Sequence, residues 1–158
     1  MIKKIGIIGA GTMGSGIAAA SSINGFETLL YDIYPEAVQK AVSGISKGFQ
    51  KLEEKGKIDA AKRKAAEGNI IQINDLAGLA ECDIIIEAAI ENIDLKKELY
   101  KKLDEITKPE AILATNTSSF SITSISTAVK NNPGRVAGMH FFNPANIMKL
   151  VEVIKGEF

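Results

Sequence analysis

The sequence predicts an α/β fold, a doubly wound and mostly parallel sheet, on three observations. The apolar run Ile2, Ile5, Ile7, Ile8 leads straight into Gly9-Ala10-Gly11-Thr12-Met13-Gly14 and a helix-like stretch, Ser15-Gly16-Ile17-Ala18-Ala19-Ala20. Strand-like and helix-like segments then alternate along the chain. Around Ile84-Ile85-Ile86 the sequence is continuously apolar, as a strand covered by helices on both faces is. With 158 residues, no internal repeat and no low-complexity linker, residues 1–158 are read as a single domain with a sizeable core.

The first thirty-two residues organise the rest. Between a strand and a helix, G-x-G-x-x-G has a specific physical meaning: Gly9 makes the tight turn, Gly11 lets a pyrophosphate approach the backbone, and Gly14 lets the helix lie close on the strand. The free N–H groups and dipole at the helix start favour the phosphates by about 0.3 to 1 kcal/mol. Alone the motif is a weak signal. Here a second strand, Phe26 to Tyr31, ends at Asp32, about twenty residues past the glycines, where a Rossmann-type fold places its ribose-binding acid. A carboxylate there accepts both ribose hydroxyls and repels a 2′-phosphate, so the expected cofactor is NAD rather than NADP.

Pro35 opens the next helix, in which Ala37, Val38, Ala41, Val42, Ile45, Phe49 and Leu52 recur at three- and four-residue steps to about Gly56. Another helix runs from about Asp59 to Gly68, so the second strand is followed by an inserted helical pair. Lys47, Lys51 and Lys55 share one face of its first member; that face suits a phosphate-bearing substrate or simply solvent. Ile70 to Ile73 reads as a third strand, Leu76 to Ala80 as a short helix and Asp83 to Ala89 as a fourth strand. Its C-terminal end carries Glu87, Glu91 and Asn92, and the ends of parallel strands are where such folds bind ligands. Ile93 to Ile106 is an amphipathic helix with Leu95, Leu99 and Leu103 expected inward. Ala111 to Thr115 is a fifth strand, leading into Asn116-Thr117-Ser118-Ser119, which can cap a helix from Ile122 to Val129. Beyond the Pro133-Gly134 turn, Val136 to Met139 reaches His140 and Phe141-Phe142-Asn143-Pro144, and a last strand spans Lys149 to Ile154.

Composition narrows the function classes. The chain is 46% hydrophobic and 24% charged, and its nineteen basic and nineteen acidic residues cancel, which removes the broad cationic field of a nucleic-acid or membrane-surface binder. The single cysteine, Cys82, excludes an internal disulfide and a cysteine-based metal site; beside Ile84-Ile85-Ile86 it reads as an inert, half-buried thiol. No metal is expected. The first strand follows Met1 at once and no apolar run approaches the ~18 residues of a membrane span, so neither leader nor anchor is expected and the compartment is the reducing cytoplasm.

Oxidising an alcohol by hydride transfer needs a base for the hydroxyl proton, and histidine is the side chain suited to that near neutrality. The chain has one, His140, at a strand end beside a polar turn. Glu152 lies on a segment that can return alongside it and fix the imidazole's tautomer, as a triad acid does. Ser118 can hydrogen-bond the substrate oxygen. A lone strand-end histidine is also a common structural residue, and the residues alone leave both roles open.

Taken together, Gly9 to Gly16, Glu91-Asn92, Asn116-Thr117-Ser118-Ser119, His140-Phe141-Phe142-Asn143-Pro144 and Leu150-Val151-Glu152-Val153 resemble the NAD-binding domain of the 3-hydroxyacyl-CoA dehydrogenases, most of all the bacterial 3-hydroxybutyryl-CoA dehydrogenases. The likeness covers the whole chain. It implies that His140 is the general acid/base, Glu152 its partner and Ser118 the holder of the 3-oxygen. It places Gly9, Gly11, Thr12, Met13, Gly14, Asp32, Glu91, Lys96, Asn116 and Asn143 on NAD, and Ser118, Asn143, Lys51 and Lys55 on an acyl-CoA thioester. It implies hydride transfer at C3 of 3-hydroxybutyryl-CoA or acetoacetyl-CoA, in fatty-acid or butyrate metabolism.

Family members continue into an all-helical C-terminal domain that closes the cleft and forms the dimer. This sequence lacks that domain and is expected to be the cofactor-binding part of a two-domain, homo-oligomeric enzyme, weakly active or inactive by itself because half the cleft is missing. Two other readings stay open: a non-catalytic NAD-binding module, and a β-hydroxyacid dehydrogenase acting on free acids. The second generally relies on a lysine acid/base, so the His140 and Glu152 pair counts against it.

Overall fold

The computed structural model describes all residues, 1–158. The elements, in chain order, are β1 (Lys4–Ile8), α1 (Thr12–Ile23), β2 (Glu27–Tyr31), α2 (Pro35–Glu54), α3 (Ala60–Gly68), β3 (Ile70–Gln72), β4 (Ile84–Glu87), α4 (Ile93–Ile106), β5 (Ile112–Thr115), α5 (Ile122–Ser126), β6 (Val136–Phe141) and β7 (Val151–Lys155), with single 3-10 turns at Leu76–Leu79 and Pro133–Arg135. They form one seven-stranded sheet in the order β3-β2-β1-β4-β5-β6-β7. The first six strands are parallel and β7 runs antiparallel to β6. The order reverses between β1 and β4, and ligands of open α/β sheets bind beyond the strand ends at such a switch point.

Successive residues of each strand feed opposite faces. Ile7, Leu30, Ile84 and Ile86 pack with Ile17, Val38, Ile45 and Phe49 of α1 and α2. Ile8, Leu29, Ile85 and Leu113 pack on the other face with Leu79, Tyr100, Leu103 and Ile125. Each such side chain, taken out of water, stabilises the fold by about 1.5 to 3 kcal/mol. Cys82 belongs to the second cluster, where burial pushes its thiol up to about 11. The inserted pair is tied together by Arg63, which reaches both Glu53 and Glu67, and by the Ser46 hydroxyl donating to Glu67 at 2.6 Å.

Helix α4 departs from its expected phase. Leu95 is 49% exposed and Leu99 only half-buried, while Lys96, Tyr100, Leu103 and Asp104 face inward. Two charged residues tolerate that face because each meets an opposite charge there: Lys96 meets Glu87, and Asp104 meets Arg135 at 2.8 Å. Helix α5 ends at Ser126 rather than Val129. Its Ser126 and Thr127 hydroxyls donate to the carbonyls of Ile122 and Ser124, and the chain continues in i→i+3 turns. The last strand begins at Val151 rather than Lys149.

Candidate active site

Two concavities meet at the C-terminal ends of the parallel strands. The first begins at the glycine loop. Gly9 has φ of +102°, and a Cβ there would stand 2.5 Å from the Ala88 carbonyl oxygen; a Cβ on Gly14 would stand 1.8 Å from the Gly9 oxygen. A Cβ on Gly11 would meet nothing within 4 Å. So Gly9 and Gly14 are required by the turn and its packing, while Gly11 faces open space. The first main-chain bond of the α1 turn is Ser15 N–H to the Gly11 carbonyl, at 2.9 Å, which leaves the N–H groups ahead of it without a carbonyl inside the helix. Asp32 does more than end β2. Its Oδ2 accepts the Ala10 N–H at 2.8 Å and its Oδ1 the Tyr34 N–H at 3.0 Å, so the carboxylate fastens the glycine loop to the second strand.

The groove that runs from this loop holds about 750 Å³ between α1 and α2. Gly11, Thr12 and Gly16 line one wall, Lys40, Gly44 and Gly48 the other, and Asn143 to Ile147 close one side.

The second concavity, of about 380 Å³, gathers Met13, Glu91, Lys96, Asn116, Ser118, His140 and Asn143. These come from four separate stretches of chain. His140 and Glu152 are register partners across β6 and β7, and Nδ1 of the imidazole lies 2.8 Å from Glu152 Oε2. That bond leaves Nε2 as the ring nitrogen available to a substrate. The Phe142 ring lies against the imidazole, with centroids 4.9 Å apart. Asn116 Oδ1 accepts the Phe141 N–H at 2.8 Å and so locks the β5 loop to the strand that carries His140. Asn143 borders both concavities.

A family model for the 3-hydroxyacyl-CoA dehydrogenase NAD-binding domain matches residues 4–158. The chain belongs to this family. It is 42% identical over 154 residues to a 3-hydroxybutyryl-CoA dehydrogenase of Clostridioides difficile, covering 98% of the chain and 54% of that relative. It is 44% identical over 155 residues to the 3-hydroxyadipyl-CoA dehydrogenase of Escherichia coli K12, covering 98% of the chain and 32% of that protein. The crystal structure of a (S)-3-hydroxybutyryl-CoA dehydrogenase from Ralstonia eutropha superposes with a TM-score of 0.95 at 41% identity, over 99% of the chain and 55% of that structure. The chain thus spans from just under a third to just over half the length of these relatives.

As an NAD-binding domain of the 3-hydroxyacyl-CoA dehydrogenase family, the chain uses NAD, and its residues fit that group. The turn at Gly9 and Gly14 admits no side chain, Gly11 opens to the space a pyrophosphate needs, and the Asp32 carboxylate beyond the end of β2 accepts two main-chain N–H groups with lone pairs to spare. The resemblance also assigned Lys51 and Lys55 to the substrate. Both are exposed and neither lines either of these two concavities; by helical spacing they continue the stripe of Lys40, Gly44 and Gly48 to the end of α2 and just past it. No helix is long and apolar enough to cross a membrane, and no group of three or more His, Cys, Asp or Glu side chains is placed to hold a metal ion.

The charged floor of this pocket was only partly legible in the sequence. Lys96 is 2% exposed and pairs with Glu87 at 2.6 Å and Glu91 at 3.7 Å. Thr115 and Thr117 donate their hydroxyls to Glu87 and Glu91 at 2.8 and 3.0 Å. Tyr100 is fully buried beneath them, and burial, with the nearby Glu87 charge adding, pushes its hydroxyl well above the ordinary tyrosine value. The signal for Glu87 was present as an acid closing an otherwise apolar strand.

Proposed function

We propose that the chain is the cofactor-binding part of an NAD-dependent oxidoreductase that moves a hydride between NAD(H) and C3 of a short-chain 3-hydroxyacyl-CoA, the pair 3-hydroxybutyryl-CoA and acetoacetyl-CoA. The observation that carries this reading is the 2.8 Å contact of His140 with Glu152, beside Ser118 and Asn116 in one concavity. NAD supplies the hydride acceptor when bound. The chain's own residues handle the proton and the geometry.

With Nδ1–H donated to Glu152, His140 presents Nε2 as the base that takes the 3-hydroxyl proton, and the carboxylate stabilises the imidazolium so formed. In reduction, the same nitrogen returns that proton to the 3-oxygen. Ser118 holds that oxygen by a hydrogen bond, and Asn143 shapes the boundary between the two concavities. Asp32, Glu91 and Lys96 serve the ribose hydroxyls. The end of the groove nearest the glycine loop takes the NAD pyrophosphate, and its far end along α2 takes the acyl-CoA, with Lys51 and Lys55 toward its phosphates. Residues 1–158 form one domain of a two-domain, homo-oligomeric protein of the cytoplasm, working in fatty-acid or butyrate metabolism.

The test is NADH oxidation with acetoacetyl-CoA, compared with free acetoacetate and with NADPH. Turnover confined to NADH and the thioester supports the reading. Tight NADH binding with no turnover under any condition, in this chain and in a longer chain containing it, supports a non-catalytic NAD-binding module instead.

A further inference from the structure

We propose that Glu87 is a positioning residue: it holds the Lys96 ammonium in the wall of the cofactor pocket. Glu87 is 0% exposed, so it touches no ligand itself. Its Oε1 receives both the Ala89 N–H, at 2.7 Å, and the Lys96 ammonium, at 2.6 Å; its Oε2 receives the Thr115 hydroxyl at 2.8 Å. Three donors from three different segments fix this carboxylate, and the fixed carboxylate in turn fixes the lysine.

The second acid near Lys96 is arranged differently. Glu91 has a side chain 44% exposed and stands 3.7 Å away, at the limit of an ion pair. The two carboxylates therefore divide the work. Glu87 is the buried anchor, and Glu91 with the outward side of Lys96 forms the part of the wall that meets the ribose hydroxyls. A lysine this buried needs a countercharge, and a flexible four-carbon stem needs a fixed point if its ammonium is to meet a ligand in one geometry. Glu87 supplies both from the end of β4, the strand beside the glycine loop's own strand. The inference rests on the reading of Lys96 as a cofactor ligand, and the test separates the two.

The experiment is a double-variant cycle read by NADH fluorescence titration, with thermal unfolding followed in parallel. Lys96→Met and Glu87→Gln are each expected to raise the NADH Kd about tenfold, the loss of one charge-assisted hydrogen bond. If Glu87 acts through Lys96, Glu87→Gln/Lys96→Met binds NADH within about twofold of Lys96→Met alone. A purely structural Glu87 instead adds its loss to that of Lys96, to about a hundredfold, and that result overturns the proposal. Should Glu87→Gln not fold, Glu87→Asp keeps the charge but withdraws it from Lys96. Weaker NADH binding there supports the proposal, and unchanged binding overturns it. Lys96→Met with unchanged affinity, or a wild-type chain that does not bind NADH, overturns the underlying cofactor reading along with it. A weakened Lys96→Met beside an unaffected Glu87→Gln overturns only the role of Glu87.

Discussion

Asp32 Oδ2 accepts the main-chain N–H of Ala10 at 2.8 Å, so the acid proposed to select the cofactor also holds the glycine loop in place. The two roles separate by substitution. Asp32→Asn keeps an oxygen for Ala10 and removes the charge. Its preference for NADH over NADPH should narrow by about tenfold or more, with NADH affinity less affected. Asp32→Ala removes the acceptor as well, and should also weaken NADH binding by about 1.5 to 3 kcal/mol. Titration of both variants with both cofactors checks this, and an unchanged preference in Asp32→Asn takes Asp32 out of the ribose site.

The glycines of the loop should differ in what they lose. A methyl at Gly14 meets the Gly9 carbonyl oxygen, so Gly14→Ala should destabilise the fold by about 3 kcal/mol and lose NADH with it. A methyl at Gly11 meets no protein atom. Gly11→Ala should unfold within about 1 kcal/mol of wild type, the cost of a poorer N-cap, yet bind NADH clearly more weakly. Urea denaturation beside NADH titration distinguishes them. Equal loss of stability in both would contradict the account of the loop.

Much of this was legible because short-range chemistry determined it. Gly9, Gly14 and Asp32 act within one strand-helix-strand unit, whose spacing is printed in the sequence. The His140 and Glu152 pair needed only the inference that β7 returns beside β6. What stayed hidden depended on packing between distant segments. The phase of α4 was read from Leu95, Leu99 and Leu103, because apolar side chains usually mark the inner face. Glu87 and Arg135, supplied by other elements, neutralise Lys96 and Asp104 and let them point inward instead. Likewise the wall of the groove on α2 is made by Lys40, Gly44 and Gly48, and small residues in an amphipathic helix give no sign of facing a ligand.

The Asp104 and Arg135 pair predicts an acid limb of stability. Burial alone would raise the Asp104 carboxyl, but the Asn131 and Lys130 N–H groups and the Arg135 guanidinium outweigh it and hold it below the ordinary carboxylate value. A depressed folded value contributes stability that is present above the ordinary unfolded value and is lost as pH falls through the depressed one. Asp104→Ala should therefore cost about 3 kcal/mol at pH 7. The gap to wild type should shrink progressively below about pH 4. Denaturation midpoints from pH 7 to pH 2 measure it, and a gap independent of pH would contradict the assignment.

In the proposed reaction His140, held by Glu152, moves the proton that accompanies hydride transfer at C3. The most direct measurement uses NADH carrying deuterium at its transferable position, incubated with acetoacetyl-CoA and this chain, with product followed by mass spectrometry. This detects turnover even where it is slow. We expect deuterium in 3-hydroxybutyryl-CoA from the wild type and about a hundredfold less, or lower still, from His140→Ala, whose NADH affinity stays intact. Equal labelling by the two proteins, or no labelling by the wild type, in this chain and in a longer chain containing it, while NADH binds, would contradict it.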